Sequence, residues 1–219
     1  MRNRFLFSVV ACALLSVGVA SAQLIDPEQP QPEPILPDED AIIQPTDDVP
    51  TPQASNEAEG ADRLDRLFDE LKRTRNPRAA KPLADGIWAE WRRSGSATTD
   101  LYVEWANTAL ERDQFNVALD FLDQVVLRDP SYAEGWNRRA TLHFHMANYK
   151  KSMNDIAKVL ELEPRHFGAL SGMAVILERN GNLEAALNAW QRVVAVYPAM
   201  ESAQSAIERL SEEIADDPA

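Results

Sequence analysis

Residues 133–166 read AEGWNRRATLHFHMANYKKSMNDIAKVLELEPRH. A similar pattern returns one period upstream and one period downstream, because Pro130, Pro164 and Pro198 stand 34 residues apart. Self-similarity of this length is typical of stacked helical hairpins, in which each unit buries its apolar face only against its neighbours. The sequence therefore predicts three such units, at 99–132, 133–166 and 167–200.

Other positions of the unit repeat with the same period. Small residues recur where two helices must approach closely, namely Ala106, Ala140 and Ala174, and then Ala118, Ser152 and Ala186. Bulky residues recur at two further positions, namely Tyr102, Trp136 and Leu170, and then Phe115, Tyr149 and Leu183. Val125, Val159 and Val193 continue the apolar stripe of each second helix. Each proline ends its unit because it cannot continue the helix before it.

These columns resemble the tetratricopeptide repeat, whose pattern is Trp-x2-Leu-Gly-x2-Tyr followed by Ala, an aromatic residue, Ala and Pro. The resemblance implies an all-α fold, an α-solenoid of antiparallel helix pairs. The middle unit departs from the pattern, since Arg139 replaces the usual leucine, Ala140 the common glycine and His143 the tyrosine. We therefore expect the core of this unit to be partly polar.

The segments on either side of the three units match the repeat pattern less well. Residues 61–98 are interpreted as a degenerate amino-terminal unit, in which Trp88 and Trp91 are expected to pack on the next unit along the chain. Residues 201–215 are predicted to form a carboxy-terminal capping helix, which repeat arrays require for solubility. One apolar stripe supports this helix, consisting of Ala203, Ala206, Ile207, Leu210 and Ile214.

Residues 1–22 have the features of a signal peptide. Arg2 and Arg4 precede an uncharged stretch, and Ala20-Ser21-Ala22 forms a small-x-small cleavage site before Gln23. The apolar stretch is shorter than the roughly 18 residues of a spanning helix, so no stable membrane span is predicted. Cleavage near Ala22-Gln23 predicts a periplasmic or secreted protein of a Gram-negative bacterium. Lipidation of Cys12 is the alternative, but cleavage before Cys12 leaves too short an apolar core.

Residues 23–60 are interpreted as a disordered acidic linker. This stretch contains eight prolines and many carboxylates but neither Lys nor Arg, so it cannot bury enough apolar surface to fold alone. The mature chain contains no cysteine, which excludes disulfides and thiolate metal sites. A formal net charge of -13 also argues against nucleic acid and anionic membranes as partners.

The resemblance further implies a concave groove lined by the first helix of each unit. The candidate peptide-binding residues are Val103, Asn107, Asn137, Arg138, Thr141, His145, Ser171, Val175 and Glu178. Asn107 and Arg138 fall near positions where chaperone-binding members of the family hold a terminal carboxylate. Val103 and Gly172 replace the lysine and arginine of that clamp, so we expect an extended or helical peptide rather than a clamped carboxylate.

No catalytic, cofactor or metal site is predicted. His143 and His145 point to different faces of one helix, and His166 belongs to a turn between units. There is no phosphate loop and no nucleophile with a partnered base. Most of the five tryptophans, Trp88, Trp91, Trp105, Trp136 and Trp190, are assigned to the repeat core.

The sequence thus predicts a non-enzymatic scaffold or adaptor of the bacterial envelope that binds another protein or a peptide. A cell-wall glycan-binding accessory protein is the alternative, with Phe144 as a candidate exposed aromatic. A solenoid hydrolase is less favoured because no residues are left for a second lobe. The partner's identity and self-association through the degenerate unit stay open.

Overall fold

A computed structural model describes residues 52–216, with side chains from residue 59 onward. Within this range all regular structure is helical and no strand is present. The all-α prediction is thereby confirmed. The predicted signal peptide, its cleavage site, Cys12 and linker residues 23–51 lie outside the described residues.

Nine helices follow one another in the described range. They are α1 (Pro52–Arg73), α2 (Pro77–Trp91), α3 (Ala97–Leu110), α4 (Phe115–Arg128), α5 (Ala133–His145), α6 (Tyr149–Leu162), α7 (Phe167–Arg179), α8 (Leu183–Val196) and α9 (Glu201–Asp216). Helices α3 to α8 pack as three antiparallel pairs, and each second helix packs on the first helix of the next pair. This arrangement confirms the predicted α-solenoid. None of the described helices is both long and apolar enough to cross a bilayer.

The turns inside the three pairs share one backbone conformation. Asp113, Ala147 and Gly181 occupy equivalent positions with φ values of 56°, 57° and 74°. The following amide in each turn donates to a carbonyl five residues earlier, from Gln114 to Ala109 and from Asn148 to His143 in the first two. Left-handed residues end helices in this way because they let late amides reach unpaired carbonyls. The same turn in every unit gives every pair the same angle.

The small-residue columns lie where helices cross. Ala118, Ala174 and Ala186 are fully buried, and Ser152 donates its hydroxyl to the carbonyl oxygen of Ala140 at 2.8 Å. At the carboxy-terminal end, α9 covers the third pair with a buried stripe of Ala203, Ala206 and Leu210. The described core thus consists of three clusters, each of which joins one pair to the first helix that follows it.

The α1–α2 pair does not stack on α3 and α4. It packs instead on the third pair, where α1 contacts α8 and the side chains of α2 join the same apolar cluster as α7 and α8. The expectation that Trp88 and Trp91 pack on the next unit is therefore wrong. Trp91 stacks on His166 with ring centroids 3.9 Å apart, and Trp88 meets Phe167 edge-on at 5.5 Å.

Polar contacts fix the α1–α2 pair in this place. The Arg165 guanidinium lies 2.7 Å from Asp65 and 4.2 Å from the centre of the Phe68 ring. On the other side, the Tyr132 hydroxyl donates to the Arg92 carbonyl at 3.1 Å. Burial raises the pKa of Tyr132 to about 12, so this hydroxyl keeps its proton at neutral pH. Gly95, with φ 75°, then turns the chain toward α3.

The predicted linker extends too far, because α1 begins at Pro52 rather than after Gly60. Proline fits the first turn of a helix, where its missing amide is not needed. Residues 53–62 contain no further proline and include Ala54, Ala58 and Ala61, which favour helix. The high acid content that the stretch shares with the linker concealed this change in composition.

The middle unit contains the expected polar core. Arg139 donates two hydrogen bonds to the buried Asp155, at 2.9 and 2.7 Å, and a third to Asp123 at 2.9 Å. Its guanidinium also lies 4.8 Å from the centre of the Trp136 ring. One charged side chain therefore joins α4, α5 and α6 where most units of this kind use leucine.

Candidate functional site

Two cavities lie side by side along the first helices of the pairs. The first, of about 310 Å³, lies between α5 and α7. The second, of about 590 Å³, lies between α3 and α5 and is bordered by the end of α2. Asn137, Thr141 and His145 line both cavities, so the two form one groove.

The structure brings seven of the nine predicted groove residues together. Besides the three shared ones, Ser171 and Val175 line the first cavity, and Asn107 and Arg138 line the second. Val103 lines neither cavity. Glu178 is also outside them, since its carboxylate accepts a hydrogen bond from Trp190 Nε1 and pairs with Arg209 of α9. Glu178 therefore ties α7 to the capping helix.

A buried carboxylate organises the polar wall of the groove. Glu134 is 4% exposed and accepts a hydrogen bond from Asn137 Nδ2 at 2.8 Å. Its other oxygen lies 3.1 Å from Arg138 Nε, and Arg138 in turn donates to Asn107 Oδ1 at 3.1 Å. A buried carboxylate needs such partners. Glu134 thereby fixes the positions of Asn137 and Arg138, which line the groove.

His166 supports this carboxylate from behind. Its Nδ1 accepts a hydrogen bond from the Ala169 amide at 3.1 Å, which assigns the proton to Nε2. Nε2 lies 3.6 Å from Glu134 Oε2, and the ring is fully buried against Trp91. The α1–α2 pair is thus coupled to the groove through Trp91, His166 and Glu134.

Sequence reasoning missed the contribution of α2 to the groove. Trp88 and Arg92 line the second cavity opposite Asn107 and Arg138. The period places Trp88 in a stacked unit, so its sequence position gives no signal that α2 reaches the third pair. The glycine at position 168 of α7 is a partial signal of close packing at this position, because a Cβ there would lie 2.7 Å from the Trp88 ring.

The remaining histidine and the acidic side chains form no site of their own. His143 is 5% exposed, and burial lowers its pKa below the ordinary value, with Asp155 partly opposing this. Among the described residues, no group of three or more His, Cys, Asp or Glu side chains is placed to hold a metal ion.

The repeating pairs and the groove along their first helices define an α-solenoid of the kind that presents a concave recognition surface. A TPR repeat-containing protein of Rhizobium etli is 53% identical to this chain over 153 residues, which cover 70% of this chain and 75% of that protein. The chain therefore belongs to the tetratricopeptide repeat family. No family model matches it.

Solved structures agree on the fold. The first TPR domain of Spaghetti (RPAP3), solved bound to an HSP90 peptide, has 19% sequence identity and a TM-score of 0.52, and covers 55% of this chain and 95% of that one. The TPR domain of Arabidopsis OM64 has 18% identity and a TM-score of 0.51, with coverage of 53% and 97%. At these identities the likeness concerns the fold.

Proposed function

We propose that this protein is a non-catalytic scaffold or adaptor of the bacterial envelope, which binds a segment of another protein in the groove. The observation that carries the proposal is the joined pair of cavities, lined by Asn107, Asn137 and Arg138 above the buried Glu134. A family relationship and a peptide-bound neighbour of the same fold support it.

The side chains favour an extended peptide. Asn107 Oδ1 accepts from Arg138 and Asn137 Nδ2 donates to Glu134. The Asn107 amino group and the Asn137 carbonyl oxygen therefore suit the carbonyls and amides of a peptide backbone. Phe144, Ile156 and Val175 supply apolar wall for side chains in the first cavity. Arg138 already contacts Glu134 and Asn107, so recognition does not depend on a terminal carboxylate.

The glycan alternative has less support. Phe144 and Trp88 line the groove, but both rings already pack against other rings of this chain. Phe144 contacts Tyr149 at 5.5 Å, and Trp88 contacts Trp91, His166 and Phe167. A sugar-binding aromatic needs an open ring face.

The test is affinity capture from an envelope extract with three folded proteins. These are the wild type, the double variant Asn107→Ala/Asn137→Ala, and a matched control, Asn154→Ala/Asn188→Ala, on exposed positions of α6 and α8. We expect one partner to be retained by the wild type and the control and lost by the groove variant. A partner that the groove variant retains as well would place binding elsewhere, and retention of purified wall glycan would favour the alternative.

We further propose export, with cleavage near Ala22-Gln23. The basic start, the apolar stretch and the small residues before Gln23 support this. Amino-terminal sequencing of the protein purified from its native cells is expected to begin at Gln23. A start at Met1, or at a lipid-modified Cys12, would contradict it.

A further inference from the structure

The first repeat has an apolar face that no part of the described chain covers. Leu101 and Trp105 of α3 and Val117 of α4 are 42%, 43% and 43% exposed. Trp105 and Val117, together with Phe121, border a cavity of about 340 Å³ between the two helices. No residue that lines this cavity also lines the groove, so the two are distinct.

The 34-residue period shows which kind of surface this is. The positions equivalent to Leu101 are Gly135, Ala169 and Ala203, and all three are buried by the preceding helices. At Gly135 the contact is so close that a Cβ would lie 2.6 Å from Val125 of α4. Leu101 therefore marks a stacking face of the first repeat, whose natural complement is a helix carrying a stripe of apolar side chains. The positions equivalent to Val117, Lys151 and Ala185, are exposed, so Val117 lies beside this face.

The upstream pair does not provide that helix. The α1–α2 pair is held on the third repeat by Trp88, Trp91 and Asp65, and within residues 52–216 no extensive contact joins it to α3 or α4. Within residues 52–216, the solenoid therefore has one capped end, at α9, and one end whose apolar face is not covered.

Charge around this face selects the partner. Residues 99–132 contain seven carboxylates and only two arginines. Asp100, Glu104 and Glu111 are exposed on one edge of α3, four and seven residues apart, and Asp120 is exposed on α4. Of the two arginines, Arg112 lines the cavity beside the strip and Arg128 lies 5.3 Å from the centre of the Tyr102 ring, so carboxylates still outnumber positive charges here. The apolar strip is thus bordered by negative charge.

Neither a second copy of the described residues nor the acidic stretch 23–60 is a suitable occupant. A second copy docked face to face would set these carboxylates against one another. A copy docked through its carboxy-terminal end would bring the exposed Glu208, Glu212 and Glu213 of α9, and residues 23–60 contain no Lys or Arg at all. Like charges across an interface cost free energy and suppress such pairings.

We propose that the stacking face of the first repeat is a second docking surface, for a basic amphipathic helix of another protein. The apolar stripe of that helix takes the place of a preceding repeat on Leu101 and Trp105 and extends over Val117 beside them. Its Lys or Arg side chains pair with the carboxylates on either side. The surface works independently of the groove, so one molecule can hold two partners.

The probe for this surface is a synthetic amphipathic helix of about 15 residues, long enough to cover a 14-residue helix, with an apolar stripe of Val and Leu and lysines elsewhere. A matched peptide replaces the lysines by glutamates. We expect the full chain to bind the lysine peptide in fluorescence anisotropy, with affinity that falls as salt rises. We expect the glutamate peptide to bind at least about tenfold more weakly.

Two variants of the face and two controls locate the binding. Leu101→Ser/Val117→Ser and Glu104→Lys/Asp120→Lys should each weaken the lysine peptide by about tenfold or more. Leu127→Ser, on an exposed leucine to one side of the strip, and Glu184→Lys on α8 should leave it unchanged. The groove variant Asn107→Ala/Asn137→Ala should also bind it normally, which separates this test from that of the proposed function.

Three results would overturn the proposal. One is the absence of binding, and another is equal binding of the lysine and glutamate peptides. The third is self-association of the wild type in sedimentation velocity that Leu101→Ser/Val117→Ser abolishes, since a second copy would then be the occupant.

Discussion

Arg139 shows how one residue can replace a leucine in a repeat core. Its side chain binds Asp155 twice and Asp123 once, and it covers the Trp136 ring. The Asp155 side chain is buried, so the two charges depend on each other for solvation. A residue that breaks the sequence pattern therefore holds three helices together.

Removal of one partner of the Arg139–Asp155 ion pair is expected to destabilise the protein more than replacement of both partners. Asp155→Ala leaves the Arg139 guanidinium half-buried without its main partner, and should lower the free energy of unfolding by about 3 kcal/mol. Arg139→Leu/Asp155→Leu should recover most of that loss, because apolar groups can replace a buried ion pair. Urea denaturation of the three proteins measures this. If the double variant is no more stable than Asp155→Ala, the pair has a role beyond mutual compensation.

His143 makes stability depend on pH. Burial holds its pKa below the ordinary value of about 6.5 in the folded chain, so the unfolded chain takes up a proton first as the pH falls. Asp155 and Asp123 oppose the shift, while Arg139 and Lys151 add to it. The contribution of His143 is fully present above the unfolded pKa and is lost as the pH falls from about 6.5 toward the lower folded value.

The variant His143→Gln isolates this contribution. Its free energy of unfolding should change less than that of the wild type between pH 7.5 and pH 5.5, because glutamine binds no proton in either state. Chemical denaturation at a series of pH values measures the difference between the two proteins. Parallel curves would show that His143 is not the group responsible.

At the scale of elements, the docking of α2 on α7 depends on one glycine. A Cβ at Gly168 would lie 2.7 Å and 2.9 Å from two atoms of the Trp88 ring. Gly168→Ala should therefore displace Trp88 and lower the melting temperature, although alanine is the better helix former. Gly172→Ala, one turn later, meets only Ile156 Cδ1 at 3.4 Å and should leave stability unchanged or slightly raised. Equal effects of the two substitutions would contradict the close contact.

The helices themselves follow from the sequence, because small, bulky and proline positions recur with one period. The groove follows in large part too, since seven of its nine predicted residues lie around the two cavities. The packing of α1 and α2 on the third pair could not be predicted from this period. Trp88 and Trp91 fit the frame of a stacked unit equally well, and periodicity identifies buried faces without identifying what covers them.

Glu178 and Glu134 illustrate the same limit inside the site. Both are carboxylates of first helices, one predicted to line the groove and the other not considered. Glu178 pairs with Arg209, and Glu134 holds Asn137 and Arg138. Glu178 is held outside the groove by Trp190 of α8 and Arg209 of α9, and spacing along one helix does not contain that information.

At the scale of the whole molecule, the α1–α2 pair joins residues that are far apart in the chain. Asp65 and Arg165 meet at 2.7 Å, and Trp91 stacks on His166. Stability in simple repeat arrays is a sum over neighbours, and the ends open independently. Here the amino-terminal pair and the third repeat share one core, so they are expected to unfold together.

Two tryptophan variants test this cooperativity. Trp91→Ala should lower the free energy of unfolding by about 3 to 5 kcal/mol and should speed hydrogen exchange in α7 and α8 as well as in α2. Trp105→Ala, at an exposed position, should have a much smaller effect and should leave exchange in α7 and α8 unchanged. Faster exchange in α2 alone after Trp91→Ala would show that the two parts open independently.

The position of α1 and α2 also limits how this gene can change. Most solenoids gain or lose copies of their unit by duplication and deletion, because each copy meets only its neighbours. In this chain, the pair that precedes the first repeat has to reach the third one, and the connection from Arg92 to Ser96 is short. A fourth copy would move the docking site out of reach, and a missing copy would remove it. A gain or loss of one repeat is therefore expected to break the contacts of α1 and α2 with the third pair.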